Sequence, residues 1–245
     1  VGSEMCIRDR KTELPEMKGT GHEVAHEGLS EVFFGGAEVE STVTEIADNG
    51  YFSSNTMLEL WQVGDAVLSA VGDSAAYSNG RATTAMYLFS EYASSLPFGD
   101  NRAVYLTGKN LDFATIDEVK EKMRAYIDAL GVSVLEPTCY TMDYDTMRAV
   151  YDGRTALETY NADFDFVIEP TKENEQYVLE YPITVNGMPL GSFDGGSYSG
   201  DVWATGTSVK VFYGAEGLNM LAMPYALDVC LLYTSPSPRD KRQSR

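Results

Sequence analysis

The stretch of residues 111–132, LDFATIDEVKEKMRAYIDALGV, constrains the fold of this chain most strongly, because nearly every helix signal in it agrees. Thr115 is placed to accept a hydrogen bond from the amide three residues on, and Glu118 is placed to reach back, which makes a capping box. Gly131 follows the last turn as a left-handed stop. The apolar residues of this stretch, which recur at steps of three and four and so share one face, are Ile116, Val119, Met123, Ile127 and Leu130. We therefore predict an amphipathic helix at residues 115–130.

The two ends of the chain look foreign to the rest. Residues 1–9 (VGSEMCIRD) and 230–240 (CLLYTSPSPRD) can be back-translated so that the second DNA sequence contains the reverse complement of most of the first. Unrelated protein ends have no physical reason to share one DNA sequence on opposite strands, and both resemble the transposase-adapter DNA of sequencing libraries. We therefore expect residues 1–9 and 230–245 to be adapter-derived scars, which the fold prediction leaves out. A source gene with different codons would contradict this expectation.

The chain of 245 residues is strongly acidic. It carries 37 Asp and Glu residues against 18 Lys and Arg residues, a net charge of −19, and such a chain repels nucleic acid and anionic membrane surfaces. No apolar run reaches the roughly 18 residues of a membrane-spanning helix. Cys139 is the one cysteine between the foreign ends, so no internal disulfide is expected, and it is interpreted as a small buried residue rather than a nucleophile. The acidity and the 16 tyrosines favour an extracytoplasmic bacterial protein.

We divide the remaining chain into a β-rich N-terminal lobe, residues 10–106, and a helix-plus-antiparallel-sheet domain, residues 107–229. The pattern leaves open whether the first part stands as a second lobe or extends the sheet of the second part. The elements predicted for the first part are a strand at 37–47, a strand or helix at 57–68, a weakly indicated helix at 82–95 and a short strand at 103–106.

In the second part, the helix described above is followed by another at residues 144–151, for which Asp143 is the cap. Pro182 lies inside a strand pattern and predicts an edge strand or a bulge. Residues 186–187 (Asn-Gly) and 216–217 (Glu-Gly) predict tight turns. The predicted strands are 164–168, 177–185, 188–190, 202–204, 208–213 and 218–225. The chain therefore predicts an α+β fold in which both helices pack on one face of a mainly antiparallel C-terminal sheet.

Three segments of this second part carry a resemblance. They are the helix end ALGV at residues 129–132, YVLEYPITVNGMPL at 177–190 and GTSVKVFYGAEGLNML at 206–221. Their order resembles that of uncharacterised envelope lipoproteins of gut Firmicutes and, more distantly, PepSY-type extracytoplasmic domains. The resemblance implies an exported, lipid-anchored protein whose signal and lipidated cysteine lie upstream, and it implies no catalytic residue.

The motif with the sharpest chemistry is HEVAH at residues 22–26, which matches H-E-x-x-H. On a helix, His22 and His26 fall on one face and can bind zinc, with Glu23 as general base. Glycines on both sides interrupt the helix that this chemistry needs, and the chain contains no third histidine. A solvated polar segment is the favoured interpretation, and a zinc-dependent hydrolase at His22, Glu23 and His26 is the alternative.

Two further patterns point weakly to ligands. Residues 191–200, GSFDGGSYSG, contain no Lys and precede a strand, so a hairpin loop is favoured over a phosphate-binding loop. The acidic pairs Asp143/Asp145 and Asp163/Asp165 lack the full pattern of a calcium loop. The first pair is better interpreted as a helix cap.

Three aromatic residues, Trp203, Tyr198 and Tyr213, could form a platform for a sugar or a peptide, although such residues more often fill the core of a sheet. The leading functional interpretation is a non-enzymatic, lipid-anchored extracytoplasmic module that binds a protein or glycan partner through the sheet edge or the acidic surface. A zinc-dependent hydrolase and a carbohydrate-binding module are the alternatives. We assign no cofactor and no catalytic residue, and we expect membrane contact only through an upstream lipid anchor.

Overall fold

The computed structural model describes residues 18–19, 28–46, 56–72, 74–93, 101–161, 167–185, 188–189, 208–223 and 227–228. Its helices are α1 Leu29–Phe34, α2 Ala82–Ala93, α3 Arg102–Tyr105, α4 Ile116–Ala129 and α5 Tyr144–Thr155, together with a 3-10 helix at Lys172–Asn174. Its strands are β1 Lys18–Gly19, β2 Glu40–Ile46, β3 Thr56–Val63, β4 Ala66–Val71, β5 Ser74–Ser78, β6 Thr138–Met142, β7 Gln176–Pro182, β8 Thr184–Val185, β9 Met188–Pro189, β10 Ser208–Gly214, β11 Gly217–Met223 and β12 Leu227–Asp228.

Eight antiparallel strands form one large sheet in the order β2-β3-β4-β5-β11-β10-β7-β6. Strands β2 to β5, from the first half of the chain, make one side of this sheet, and β6, β7, β10 and β11 make the other. The two sides join where β5 pairs with β11, with Tyr77 opposite Leu221. The N-terminal strands therefore extend the C-terminal sheet, which is one of the two arrangements that the sequence left open.

Helices cover both faces of this sheet, because neighbouring residues of its central strands point into two different cores. In β7, Tyr177 and Leu179 face the core that contains α1 and α4, whereas Val178 faces the core that contains α2, α3 and α5. In β10, Val211 faces the core with α1 and α4, and Phe212 faces the core with α2, α3 and α5. The predicted α+β class and the antiparallel sheet are confirmed. The two predicted helices, α4 and α5, differ from the prediction in lying on opposite faces.

Helix α4 forms as the sequence predicts, and a capping box begins it. The Thr115 hydroxyl accepts a hydrogen bond from the Glu118 amide at 3.2 Å, and the Glu118 carboxylate accepts one from the Thr115 amide at 2.8 Å. Gly131 has a φ of 69°, the left-handed conformation expected after the last turn. Val119 and Met123 on the apolar face are buried in the core against the sheet.

We expect Thr115→Ala to lower the free energy of unfolding by about 1 kcal/mol, because it removes the acceptor for one exposed amide of the first helical turn. Thr115→Ser keeps a hydroxyl at the cap and should retain most of the stability. Urea unfolding followed by circular dichroism measures both variants. Equal stability of the alanine variant and the wild-type protein would contradict the capping assignment.

The strand predicted at residues 103–106 is wrong, since these residues belong largely to the short helix α3. The Asn101 amide donates to the Ala93 carbonyl at 3.1 Å, which ties the start of this helix to the end of α2. Tyr105 is completely buried in the core that α2 and α5 share. Docking of this one ring therefore overrides the local strand preference of its neighbours.

Pro182 does not mark an edge strand. It is the last residue of β7, and β7 lies inside the sheet between β10 and β6. A proline lacks the N–H donor of a sheet ladder, and at the end of a strand this loss is small. Its carbonyl accepts a hydrogen bond from the Leu135 amide at 2.9 Å.

The remaining local predictions divide into three groups. A tight turn is confirmed between β10 and β11: residues 215–216 form it, and Gly217, with a φ of 114°, begins β11. Residues 167–168, the described end of the predicted strand 164–168, are not in a strand. The turn at 186–187 and the strand at 202–204 lie outside the described residues.

Within the described ranges, no helix combines the length and the apolar character that crossing a membrane requires.

Candidate functional site

The histidine motif lies outside the part of the chain that the structure describes. His22, Glu23 and His26 fall within residues 20–27, so the zinc-hydrolase hypothesis stays a prediction. Gly28, two residues after the motif, has a φ of 82° and directly precedes α1. Among the residues that are described, no group of three or more His, Cys, Asp or Glu side chains is arranged to hold a metal ion.

Of the three aromatic residues predicted as a platform, one is described and it lies in the core. The Tyr213 ring packs beside Phe113 with a centroid distance of 6.4 Å, and its hydroxyl accepts a hydrogen bond from Lys122 at 3.1 Å. Tyr213 is therefore a residue of the sheet core rather than part of an exposed platform. The predicted features that lie outside the described residues are Tyr198, Trp203, Asp163, Asp165 and the glycine-rich segment 191–200.

Cys139 is half-buried in β6, where it packs against the core. Burial raises the pKa of its thiol to about 11, against a smaller opposing effect of Lys120. A thiol with that pKa is almost entirely protonated at neutral pH and is a poor nucleophile. These properties agree with its interpretation as a packing residue.

Asp143 caps α5 as the sequence predicts. Its carboxylate accepts hydrogen bonds from the Thr146 amide at 3.2 Å and the Thr146 hydroxyl at 2.7 Å, and from the Lys109 ammonium group at 2.9 Å. Burial acts to raise the pKa of Asp143, but these hydrogen bonds outweigh it and leave the pKa below its usual value. Asp145 is exposed in the first turn of α5 and takes no part in these hydrogen bonds.

An open cleft of about 280 Å³ lies at one end of the sheet, where the start of α2 approaches the ends of β7, β10 and β11. We call it the Gln176 cleft. Its lining includes Arg81, Glu173, Glu175, Gln176, Gly214 and Asn219. No sequence pattern joins these residues, because they come from four separate segments.

Two buried polar residues form the β7 side of the Gln176 cleft. The Gln176 side chain is 2% exposed and donates to the Ala85 carbonyl of α2 at 2.9 Å. The Glu175 side chain is also buried, and its carboxylate accepts a hydrogen bond from the Tyr144 amide at 2.9 Å. Buried polar groups of this kind are costly unless they are hydrogen-bonded. These two hydrogen bonds therefore stabilise polar side chains at the wall of the cleft.

Asn219 enters the Gln176 cleft because β11 is irregular at this residue. Phe212 pairs with Met220 and Tyr213 pairs with Leu218, so Asn219 is an extra residue without a partner in the register. Bulges of this kind re-aim a side chain and are common next to functional sites. In the sequence, the one available signal is that Asn219 interrupts an otherwise apolar run.

Gly214 gives the Asn219 side chain its room. A Cβ atom at Gly214 would lie 2.8 Å from Asn219 Nδ2, which is closer than ordinary van der Waals contact. Gly214, the last residue of β10, pairs with Gln176 of β7 on one side and with Gly217 of β11 on the other. A side chain at this position would therefore push the Asn219 amide out of its place.

The second candidate surface is the outer edge of β2, the last strand of the large sheet. Among the described strands, β3 alone pairs with it. Residues 40–45 are exposed on both faces of the sheet, and Val43 is 56% exposed. An edge strand in this position presents a row of backbone N–H and C=O groups to another chain.

Comparisons with known proteins identify a structural likeness but no family. No family model matches the chain, and no curated protein matches its sequence. The structure is similar to the crystal structure of an uncharacterized protein from Eubacterium rectale, with a TM-score of 0.48 and 16% sequence identity. The match covers 82% of this chain and 53% of that one, so the chain spans about half the length of that protein.

Proposed function

We propose that this protein is a non-enzymatic binding module that captures an extended, basic segment of a partner protein along the outer edge of β2. The observation that carries this proposal is a seven-residue edge strand whose residues 40–45 are exposed on both faces. A peptide that adds to a sheet edge gains main-chain hydrogen bonds along its length, and neighbouring side chains set its specificity.

The backbone of β2 is suited to accept another strand. It pairs with β3 without a register shift, from Glu40 opposite Gln62 to Ile46 opposite Thr56. Natural edge strands are commonly protected by charged residues, prolines or bulges. β2 contains no proline, lysine or bulge, and its two charged residues, Glu40 and Glu45, lie toward its ends. A regular strand of this length offers its outer hydrogen-bonding groups in the spacing that a second strand requires.

The side chains of β2 indicate the chemistry of the partner. Thr42, Val43 and Thr44 form an uncharged β-branched centre, and Glu40 and Glu45 lie toward the two ends. Cross-strand pairs of opposite charge and pairs of β-branched residues each contribute about 0.2–1 kcal/mol. The matching segment therefore has Val, Ile or Thr at its centre and Lys or Arg toward each end.

The acidity of the chain disfavours a second copy of this chain as the occupant. Each copy carries a net charge of −19, so two copies repel one another as they approach. A basic partner is attracted instead.

We place this module outside the cytoplasm, held to the cell envelope by a lipid anchor. The supporting features are the acidic, tyrosine-rich composition and the resemblance of residues 177–190 and 206–221 to segments of envelope lipoproteins. Recovery of the native protein from the cytosol of its source cells, rather than from detergent extracts of envelopes, would contradict this location.

Selection from a displayed library of random heptapeptides tests the binding proposal. We expect the immobilised protein to enrich peptides with basic ends and a β-branched centre. Amide hydrogen exchange in residues 40–46 should slow when an enriched peptide is added, because new inter-strand hydrogen bonds protect these amides. Enrichment without this pattern, or protection at residues other than β2, would contradict the proposal.

Two charge-reversal variants separate the β2 edge from general electrostatic attraction. Glu40→Lys with Glu45→Lys changes β2, while Asp128→Lys with Glu158→Lys makes the same change in net charge at exposed positions elsewhere. We expect the first variant to weaken the binding of an enriched peptide by about tenfold and the second variant to have little effect on its affinity. Equal weakening by both variants would show that the overall charge, not β2, attracts the peptide.

A further inference from the structure

We propose that the Gln176 cleft binds a small zwitterion, of the size of an α-amino acid or a dipeptide. This site is separate from the β2 edge and rests on different residues. A volume of about 280 Å³ lies near the lower limit of small-molecule sites, which begin at roughly 300 Å³. The cleft therefore has room for a compact polar ligand and not for a longer peptide.

The side-chain amides of the cleft have hydrogen-bonding capacity that no described residue uses. Within the described residues, no donor approaches Gln176 Oε1, and the side-chain amide of Asn219 makes no hydrogen bond. Neither belongs to the fully enclosed side-chain atoms without a partner, so both open onto the cleft, where a ligand can reach them. A ligand carrying both a donor and an acceptor, such as the amide or the charged ends of a dipeptide, would satisfy both residues.

The charges of the cleft select a ligand that carries both signs. Arg81, at the rim, pairs with Glu216 through one nitrogen, and its guanidinium retains further N–H donors for a ligand carboxylate. Glu173, which also lines the cleft, is exposed and forms no ion pair with any described residue, so it is available to a ligand ammonium group. A simple anion would leave Glu173 unmatched, and a simple cation would leave the remaining N–H donors of Arg81 unused.

The proposed binding mode combines the charged groups at the rim with the side-chain amides of the cleft. The ligand carboxylate pairs with Arg81 and the ligand ammonium group pairs with Glu173. The polar groups between them reach the side-chain amides of Gln176 and Asn219. Planar guanidinium–carboxylate pairs are short and directional, so Arg81 fixes the orientation of the ligand.

Titration with alanyl-alanine and with its C-terminal amide tests the site. Side-chain amide signals of Gln176 and Asn219 in nitrogen-15 NMR spectra should shift saturably in the millimolar range with alanyl-alanine. Arg81→Gln should weaken alanyl-alanine by about tenfold and leave the binding of the amide derivative unchanged, because only the first ligand has the carboxylate that Arg81 recognises. Arg81 is exposed, so the same spectra should show an intact fold.

A second variant tests the shape of the cleft without removing a polar group. Gly214→Ala places a methyl group 2.8 Å from the Asn219 amide nitrogen, which must turn aside, and should weaken the binding of both ligands. Gly153→Ala in α5 is the matched control, since a Cβ atom there meets nothing within 4 Å. The proposal is overturned by absent shifts in the wild-type protein, by equal effects of Arg81→Gln on both ligands, or by wild-type binding in Gly214→Ala.

Discussion

Met123→Ala should lower the free energy of unfolding by about 2–5 kcal/mol, the range of large-to-small substitutions in well-packed cores. Met123 is 1% exposed and lies in the middle of the buried face of α4, in the same core as Tyr177 and Tyr213 of the sheet. The strands that carry these rings are held by hydrogen bonds on both sides, so they cannot move in to fill the cavity. Urea unfolding should show a lower midpoint with an unchanged slope.

Two variants control for this result. Met123→Leu nearly conserves the volume and should cost less than about 1.5 kcal/mol. Glu121→Ala makes an alanine two residues away on the exposed side of α4 and should change stability by less than about 0.5 kcal/mol. If Met123→Ala is no more destabilising than Glu121→Ala, the apolar face of α4 does not pack on the sheet, and the fold described above is wrong.

Helix α4 could be predicted from the sequence because all its signals are local. Thr115 and Glu118 lie within one turn of each other, and Gly131 directly follows the helix. The capping hydrogen bonds and the left-handed stop depend on no other part of the chain. The same is true of Asp143, whose bonds to Thr146 begin α5.

The placement of α5 and α4 on opposite faces of the sheet is indicated by the sequence of β7 itself. β7 reads QYVLEYP, and its consecutive residues Tyr177, Val178 and Leu179 are all fully buried. Strands that are covered on one face alternate between apolar and polar residues, whereas strands covered on both faces show continuous apolar runs. Three apolar residues in a row therefore indicate helices on both faces.

The Gln176 cleft could not be predicted, because its parts come together only through pairing of distant segments. Arg81 precedes α2, Gln176 begins β7 and Asn219 lies in β11. The register of β10 with β11 makes Asn219 a bulged residue, and no local pattern around Asn219 specifies that register. Helix α3 shows the same limit, since burial of Tyr105 depends on a core built by α2 and α5.

Asp143→Ala should lower the free energy of unfolding near neutral pH by about 2–4 kcal/mol. The Asp143 carboxylate is 2% exposed, caps α5 through Thr146 and pairs with Lys109. Loss of a helix cap costs about 0.5–2 kcal/mol, and hydrogen bonds to a charged group contribute about 1.5–3 kcal/mol. Lys109 is half-exposed, so solvent screens its share and the total stays below the sum of the upper values. Asp143→Asn keeps a capping oxygen and should lose about half as much.

The difference in stability between the wild-type protein and Asp143→Ala should depend on pH in one direction. The pKa of Asp143 is lower in the folded protein than the value of about 3.9 in an unfolded chain. The unfolded chain therefore binds this proton first as the pH falls, and the stability that ionised Asp143 provides is lost as the pH drops through its folded pKa. The difference should be constant between about pH 5 and 7 and should shrink below about pH 4.

Other carboxyl groups titrate in both proteins and cancel in the comparison. A difference that stays constant into acid would show that Asp143 contributes no charge-dependent stability, and that the pair with Lys109 does not hold this end of α5.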